Sequence, residues 1–351
     1  MGSPGSNLLV HGSVAWPGPG EPLVEDAAVV LEGSRVSYAG RAERAPEAEE
    51  SIEGDWFLMP AAVDHHVHIG LADARAVLDG GVTAVRDLAW PVEDIFPRAD
   101  ISQGTEYEGP AISACGPMIT ARGGYPTQAE WAPPGTGLQV RGPEEAATAV
   151  TRLADQDPAA IKGALNAEAA PVLTDGELVA VCETAHQRGL TVVAHVQGPG
   201  QTERALGAGV DELAHAPWTE RLGDRLIEGL VRRGVRVTST LDIHSYGEVT
   251  QELRVAAENL FRFHAAGGTV LYGTDLGNGP IPPGIHLREA QHLTMARLSP
   301  EEVLAAMTSW RLHPGGRGDL VALGGNPLED LDALGDIRAV VRAGRVRRLS
   351  S

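Results

Sequence analysis

The sequence predicts an α/β protein, a (β/α)8 TIM barrel with a small β-sandwich domain built from both chain ends. From residue 59 onward, short β-rich runs alternate with helical stretches at a spacing of roughly 20 to 40 residues, which is typical of a barrel of parallel strands. Before and after this region the strand-like runs are shorter and turn residues are frequent. We therefore predict a composite β-sandwich domain from residues 1–58 and 312–351, and a barrel domain from residues 59–311.

The opening segment has the texture of a β domain. Proline and glycine at 17–20 mark a turn, and the charged, alanine-rich stretch 41–50 predicts a surface loop or a short helix. The predicted strands are 8–10, 27–31 and 35–38.

The central region contains eight predicted strands with helices between them. No glycine-rich phosphate-binding fingerprint follows its first strand, which argues against the alternative of a doubly wound open sheet. The predicted strands are 62–68, 82–88, 111–119, 159–165, 191–196, 212–216, 235–241 and 270–274. The predicted helices are 73–79, 143–156, 175–188, 224–233, 249–266 and 286–296.

After Trp310 the sequence returns to β texture. Strand-like runs at 318–323 and 337–341 precede a hairpin that closes at 344–347. Because β segments flank the barrel on both sides, we expect the two ends to combine into one domain.

Composition restricts the class of protein. A formal net charge of −19 argues against nucleic acid and anionic membrane surfaces as partners. No run approaches the roughly 18 apolar residues of a membrane span, and residues 1–6 lack the features of a signal peptide. Two cysteines, Cys115 and Cys182, are too few for a disulfide scaffold and predict buried thiols in a reducing compartment. We expect a cytoplasmic enzyme with a small-molecule substrate, and the sequence leaves open whether it forms a homo-oligomer.

Lys162 is the one lysine among 28 lysine and arginine residues. Arginine replaces lysine readily on a solvated surface, so a retained lysine in an apolar, strand-like run suggests chemistry that arginine does not provide. A desolvated ε-amine loses its proton and becomes a nucleophile, whereas a guanidinium does not. The alternative is a chance survivor whose stem reaches toward solvent.

The first barrel strand carries a candidate metal motif. Side chains alternate along a strand, so Asp64, His66 and His68 share one face while His65 lies on the other. Two imidazoles on one face can bind one cation, and barrel active sites collect at the C-terminal ends of the strands. Later predicted strands end in further candidates for the same face, namely Lys162, His195, His215 and Asp275.

These residues resemble those of the amidohydrolase superfamily of metal-dependent hydrolases, and the similarity covers essentially the whole chain. Residues 64–68 resemble its Asp-x-His-x-His motif, and residues 80–87 are similar to its second-strand Gly-x-Thr-Thr-x-Arg-Asp. Further matches are Ile161-Lys162 on the fourth strand, Gly-Thr-Asp at 273–275, and a tail at 319–321, 326–328 and 344–346.

The resemblance implies two divalent metal ions, usually zinc, bridged by a CO2-derived carbamate on Lys162. It also implies that Asp275 acts as general base and then as general acid. The implied metal ligands are His66, His68, Lys162, His195, His215 and Asp275.

Residue differences within the superfamily favour one branch. Mononuclear deaminases carry a glutamate three residues after the fifth-strand histidine, and residues 196–198 here read Val-Gln-Gly. The chain resembles the prolidase and N-acyl-amino-acid carboxypeptidase-like group, which predicts cleavage of an amide C–N bond in a dipeptide or an N-acyl amino acid. The alternatives are a hydantoinase-like cyclic-amide hydrolase, a lactone or ester hydrolase, a deaminase, or an inactive scaffold.

Substrate contacts are expected from loops at the same face of the barrel. Tyr125 stands where the dipeptidase-like group commonly has a histidine, so the sequence of this loop does not identify the substrate. The candidate contacts are Arg122, Tyr125, His244, Tyr246, Asn278 and His286.

Overall fold

The computed structural model describes residues 7–348. Residues 1–6 and 349–351 lie outside the described residues. The signal-peptide expectation and the outermost limits of the predicted composite domain fall on these residues. The chain begins with five strands: β1 Asn7–Ala15, β2 Val24–Glu32, β3 Arg35–Arg41, β4 Glu50–Glu53 and β5 Phe57–Pro60. The stretch 41–50 contains a single short 3-10 turn, as predicted.

The central region alternates strands and helices. Its strands are β6 Ala62–Val67, β7 Val82–Asp87, β8 Ala111–Ala114, β9 Met118–Ala121, β10 Gly137–Val140, β11 Ile161–Asn166, β12 Val192–Gln197, β13 Glu212–Leu213, β14 Arg236–Thr238 and β15 Thr269–Leu271. Its helices are α1 Ala74–Asp79, α2 Val92–Ser102, α3 Pro143–Ala154, α4 Asp175–Gln187, α5 Gln201–Ala208, α6 Asp224–Arg232, α7 Gln251–Ala265, α8 Leu287–Met295 and α9 Pro300–Ala306.

These strands form a closed parallel ring. Strands β6, β7 and β8 pair in parallel, and a second sheet runs β9-β11-β12-β13-β14-β15, with β10 on the outer side of β9. Backbone bonds join the two sheets at both seams: Ala159 N–H donates to Ala114 O (2.8 Å), and Asp275 N–H donates to His66 O (2.8 Å). The C-terminal ends of all these strands therefore face the same side of the ring.

The third strand position differs from its prediction. The sequence predicts one strand over 111–119, and the structure has β8 and β9 with a break between them. Gly116 adopts a left-handed backbone (φ 72°), and Pro117 follows without an N–H to donate, so regular pairing ends there. The two pieces nevertheless fill one position in the ring, because β8 pairs with β7 and β9 pairs with β11.

The chain ends in β16 Leu320–Leu323, β17 Ile337–Arg342 and β18 Arg345–Arg348. They join the N-terminal strands in one eight-stranded sheet, ordered β18-β17-β16-β5-β1-β2-β3, with β4 also beside β1. Both chain ends thus combine as expected, but the hydrogen bonds give one continuous sheet where a sandwich is predicted. The cause is the long strand β1, which pairs with β4 over its first half and with β5 at its end. Residues from distant strands, including Val36 and Leu320, share one core, so the sheet curves around it.

Both cysteine thiols are buried, as predicted. Within residues 7–348, no helix is both long enough and apolar enough to cross a membrane.

A buried ion pair braces the barrel interior. The Glu212 carboxylate is fully buried and accepts hydrogen bonds from Arg86 (3.1 Å to Oε2) and from Thr238 (2.9 Å), and Arg236 lies 3.0 Å away. Arg86 also donates to the carbonyl of His65 (3.0 Å). Burial raises the pKa of a carboxyl, but the charge and hydrogen bonds of Arg86 outweigh it and lower the pKa of Glu212.

Glu212→Gln should lower the free energy of unfolding by about 3 kcal/mol, because it leaves Arg86 charged and buried without an anion. Denaturant unfolding at equal metal loading measures the change. Glu258→Gln is the matched control, since Glu258 pairs with Arg221 at an exposed site (2.8 Å) and should change stability by less than about 0.5 kcal/mol. Equal unfolding free energies for the two variants would contradict a structural role for Glu212.

Candidate metal centre and substrate cavity

Three side chains, supplied by β6 and by the segments after β6 and β15, meet at the C-terminal side of the ring. His66 Nε2 and His68 Nε2, on and just after β6, each lie 3.2 Å from Asp275 Oδ1, which follows β15. All three side chains are buried. Among the described residues, they are the one group of three or more His, Cys, Asp or Glu residues whose ligand atoms all lie within 4.8 Å of one another.

The orientation of the two imidazoles is fixed by backbone carbonyls. His66 Nδ1 lies 2.8 Å from Ala214 O, and His68 Nδ1 lies 3.2 Å from Ala89 O. A carbonyl only accepts, so each Nδ1 carries a proton, and in the neutral imidazole each Nε2 is the nitrogen whose lone pair a metal ion can bind.

The donor set fits a divalent cation. Two nitrogen lone pairs and a carboxylate oxygen converge, and Asp275 Oδ1 is buried without a hydrogen-bond partner among the described residues. Burial raises the pKa of a carboxyl, but the positive charge that His66 and His68 carry when protonated holds the pKa of Asp275 well below its usual value, so Asp275 is an anion. Imidazole nitrogen and carboxylate oxygen are ligands that zinc accepts in proteins.

Asp275 is itself held in place. Asn278 Nδ2 donates to Asp275 Oδ2 (2.9 Å), which leaves Oδ1 for the two imidazoles. Thr274 donates to the buried Asp64 through both its backbone N–H (3.0 Å) and its hydroxyl (2.5 Å). Asp64 therefore braces β6 against the segment after β15 and does not join the three ligand groups, although it shares the strand face of His66.

A second pair of histidines lies beside the first. His195 Nδ1, on β12, is 3.0 Å from His215 Nε2, which follows β13. The ring of His215 is 4.6 Å from that of His66, so the four imidazoles form one continuous group. Gln197 Oε1 lies 3.3 Å from His195 Nε2 and accepts from Asn166 Nδ2 (2.8 Å). Since that oxygen accepts, His195 donates through Nε2 and its Nδ1 lone pair faces His215.

Lys162 lies in the barrel interior on β11. Its side chain is fully buried, and its Nζ has no hydrogen-bond partner among the described residues. Burial lowers the pKa of Lys162 to about 7, so a large share of the amine is neutral near neutral pH. The stem does not reach solvent, which removes the alternative of a snorkelling surface lysine.

A cavity of about 280 Å³ opens over the imidazoles. Tyr125 stacks on the His195 ring (4.9 Å), and Trp218 stands edge-on to His215 (5.5 Å) and 4.5 Å from the ring of His244. The residues that line it are His66, His68, Met118, Tyr125, His195, Gln197, His215, Trp218, Ile243, His244, Tyr246, Asp275 and Asn278.

The structure sorts the candidate substrate contacts. Tyr125, His244, Tyr246 and Asn278 line the cavity, and the residues that line it include neither Arg122 nor His286. Arg122 is exposed after β9. His286 is buried at the start of α8, with its Nε2 2.5 Å from Asp242 Oδ2.

Four lining residues were not predicted from the sequence, namely Met118, Gln197, Trp218 and Ile243. Gln197 lies two positions after His195 on the same strand face, so the period of a strand could have identified it. Trp218 lies beyond the end of β13, in an irregular segment where no periodic signal operates.

A parallel barrel that gathers buried histidines and an aspartate at the C-terminal ends of its strands defines a metal-dependent hydrolase. Residues 57–310 match the family described as "Amidohydrolase family", and the chain belongs to that family. The resemblance inferred from the motifs is thereby confirmed, and the protein is an amidohydrolase-family hydrolase with a His66–His68–Asp275 metal site.

Relatives span nearly the whole chain. Ochratoxinase from Aspergillus niger is 23% identical over 97% of this chain and 86% of its own length. A solved structure of the A. niger ochratoxinase has a TM-score of 0.83 at 18% identity, covering 99% of this chain and 96% of that one. A Xaa-Pro dipeptidase crystallised with methionine in its active site has a TM-score of 0.83 at 19% identity, covering 98% of this chain and 100% of that one. At these identities the likeness shows a shared fold.

Proposed function

We propose that this protein is a zinc-dependent amidohydrolase that cleaves the C–N amide bond of a small substrate, of the dipeptide or N-acyl amino acid type. The observation that carries the proposal is the buried Lys162 amine, unpartnered among the described residues, together with two pairs of histidines at the strand ends. The likeness to a Xaa-Pro dipeptidase and to an ochratoxinase supports a linear amide over a cyclic one.

In this proposal, His66, His68 and Asp275 would hold one ion, His195 and His215 would hold the other, and Lys162 would add ligand oxygens once it carries a carbamate. When bound, the two ions supply a hydroxide nucleophile at neutral pH and polarise the scissile carbonyl. The neutral Lys162 amine would attack the carbon of CO2 and release one proton to solvent, which gives a carbamate whose single negative charge is shared by two oxygens. A pKa of about 7 makes the neutral amine available for this step.

Asp275 is the proposed proton carrier. Its Oδ2 is held by Asn278, so the carboxylate keeps one orientation while it accepts the proton of the attacking water. The same carboxylate then returns that proton to the leaving amine nitrogen. Tyr125, His244 and Tyr246 are the proposed substrate contacts on the cavity walls. Arg122 and His286 stay predictions from the sequence, since the residues that line the cavity include neither of them.

The proposed catalytic domain is residues 59–311, with the composite β domain formed by 1–58 and 312–351. The cavity-lining residues all fall between positions 66 and 278, which supports assigning the chemistry to the barrel.

The test is a hydrolysis screen of zinc-loaded protein against N-acyl amino acids, dipeptides, cyclic imides and lactones. We expect linear amides to be cleaved, activity to be lost on chelation, and zinc to restore it. Each substrate with a free carboxylate is paired with its neutral carboxamide, so that the screen measures whether the carboxylate is needed. The comparison is informative because none of the described residues that line the cavity is an arginine or a lysine. Cleavage of cyclic amides or lactones alone would favour those alternatives, and carefully prepared protein that binds no transition metal would overturn the proposal.

A further inference from the structure

A second buried polar cluster lies behind one wall of the cavity, in the segment after β14. The Asp242 side chain is fully buried and accepts hydrogen bonds from His286 Nε2 (2.5 Å), Arg288 Nη2 (2.9 Å), His292 Nε2 (3.2 Å) and Ser245 Oγ (2.6 Å). Burial raises the pKa of a carboxyl, but the hydrogen bonds from His286, His292 and Arg288 hold that of Asp242 well below its usual value. Asp242 is therefore an anion held by donors that, Ser245 apart, lie on or next to α8. We call these five residues the Asp242 cluster.

The backbone of the same segment is tied to the same helix. Glu289, on α8, accepts from the N–H of Leu241 (2.9 Å) and of Asp242 (2.8 Å). The carbonyl of Asp242 in turn accepts from the N–H of Ser245 (2.9 Å) and of Tyr246 (2.8 Å). The start of this segment is thus bonded to α8 through the Asp242 carboxylate and through two backbone N–H groups, and the Asp242 carbonyl joins it to Ser245 and Tyr246.

This tethered segment supplies one wall of the cavity. Ile243, His244 and Tyr246 all line it. The His244 ring packs 4.5 Å from that of Trp218, and its Nε2 is buried without a hydrogen-bond partner among the described residues. A buried imidazole nitrogen that lacks a partner costs free energy unless a bound group supplies one.

We propose that Asp242 is a positioning residue, which holds residues 241–246 against α8 so that His244 presents a fixed, unpartnered nitrogen to the substrate. The inference rests on the proposed function for the identity of the site, and it assigns His286 to this support. Fixing His244 before binding removes the entropic cost of ordering it with the substrate. The cluster is not a second metal site, because the Arg288 guanidinium already lies against the Asp242 carboxylate.

The first test compares Asp242→Asn with Asp224→Asn, whose carboxylate pairs with Arg262 at an exposed site. Hydrogen exchange of zinc-loaded protein without substrate should be faster in residues 241–250 of Asp242→Asn, and unchanged in β6 and β12. Metal content should equal that of the parent. These measurements need no substrate, so they stand whether or not the proposed reaction is found. Unchanged exchange in 241–250, or loss of metal, would overturn the positioning role.

The second test uses an amide substrate that the screen identifies. Asp242→Asn should raise KM about tenfold with kcat within about twofold, because it disorders a binding group and leaves the ligand set intact. In a His244→Phe background the same change should raise KM by less than about twofold, since the group it positions is already gone. Additive effects of the two substitutions would overturn the link to His244.

His286 provides a conservative comparison if Asp242→Asn does not fold. His286→Gln keeps a donor toward Asp242, so its KM should stay close to that of the parent. His286→Leu removes the donor and should raise KM as Asp242→Asn is expected to do. Equal KM values for the two His286 variants would contradict the proposal.

Discussion

Lys162→Arg is expected to reduce the bound metal from the proposed two ions per chain to at most one and to lower kcat/KM by about 10⁴-fold. The reason is chemical. Lys162 is buried with an unpartnered Nζ among the described residues, and burial brings its pKa to about 7, so it can exist as a neutral nucleophile. An arginine at this site stays protonated and cannot form a carbamate. It would also place a permanent cation beside the ions that the site is proposed to bind.

A second substitution separates this chemistry from a folding defect. Lys162→Met retains an unbranched side chain of similar length, places no charge in the barrel, and lacks the amine. It should fold and lose the second ion in the same way. Metal analysis gives the ion count, and incubation with ¹³C-bicarbonate followed by NMR should show one labelled carbon per chain in the parent and none in either variant. A Lys162→Met protein that binds two ions and retains full activity would show that no carbamate bridges the site.

The sequence located the metal groups because of how a barrel is built. His66 lies on β6, His68 follows it directly, and Asp275 lies four positions after the end of β15. Parallel strands bring such positions to one face of the barrel. Alternation also assigned His65 to the opposite face correctly, and its Nε2 lies 3.4 Å from Ser309 Oγ. The pattern did not predict that Asp64 has a structural role while His66 and His68 are metal ligands. That distinction depends on the bonds of Asp64 to Thr274, which join residues 210 positions apart.

The parts that the sequence missed depend on irregular backbone or on long-range contacts. Helix α2 contains Pro97 as its sixth residue, where proline cannot donate to the carbonyl of Glu93, so the sequence pattern argues against a helix there. Trp218 and Asp242 lie in segments after short strands, where neither the period of a strand nor that of a helix applies. His286 looked like a substrate contact because it follows the eighth strand, yet its partner is Asp242, 44 positions earlier.

Asp275→Asn is expected to leave a folded barrel that still binds metal, with kcat lowered by about 10⁴-fold. The asparagine keeps an oxygen that can face His66 and His68, so the site retains three donor side chains. It cannot accept and return a proton, which removes the step that delivers a proton to the leaving amine. The neutral amide also withdraws one negative charge from the ligand set, so metal affinity should fall while stoichiometry at saturating zinc is maintained.

The measurement is kcat at saturating zinc, with metal content determined on the same samples. Asp336→Asn is the control, because Asp336 pairs with the exposed Arg338 (2.7 Å) and is not among the residues that line the cavity. A poorer leaving amine needs the returned proton more, so across a series of amides with different leaving groups the loss in kcat should grow with the basicity of the amine. A loss that is the same for every leaving group, or one that disappears at high zinc, would assign Asp275 to metal binding alone and leave the proton transfer to another group.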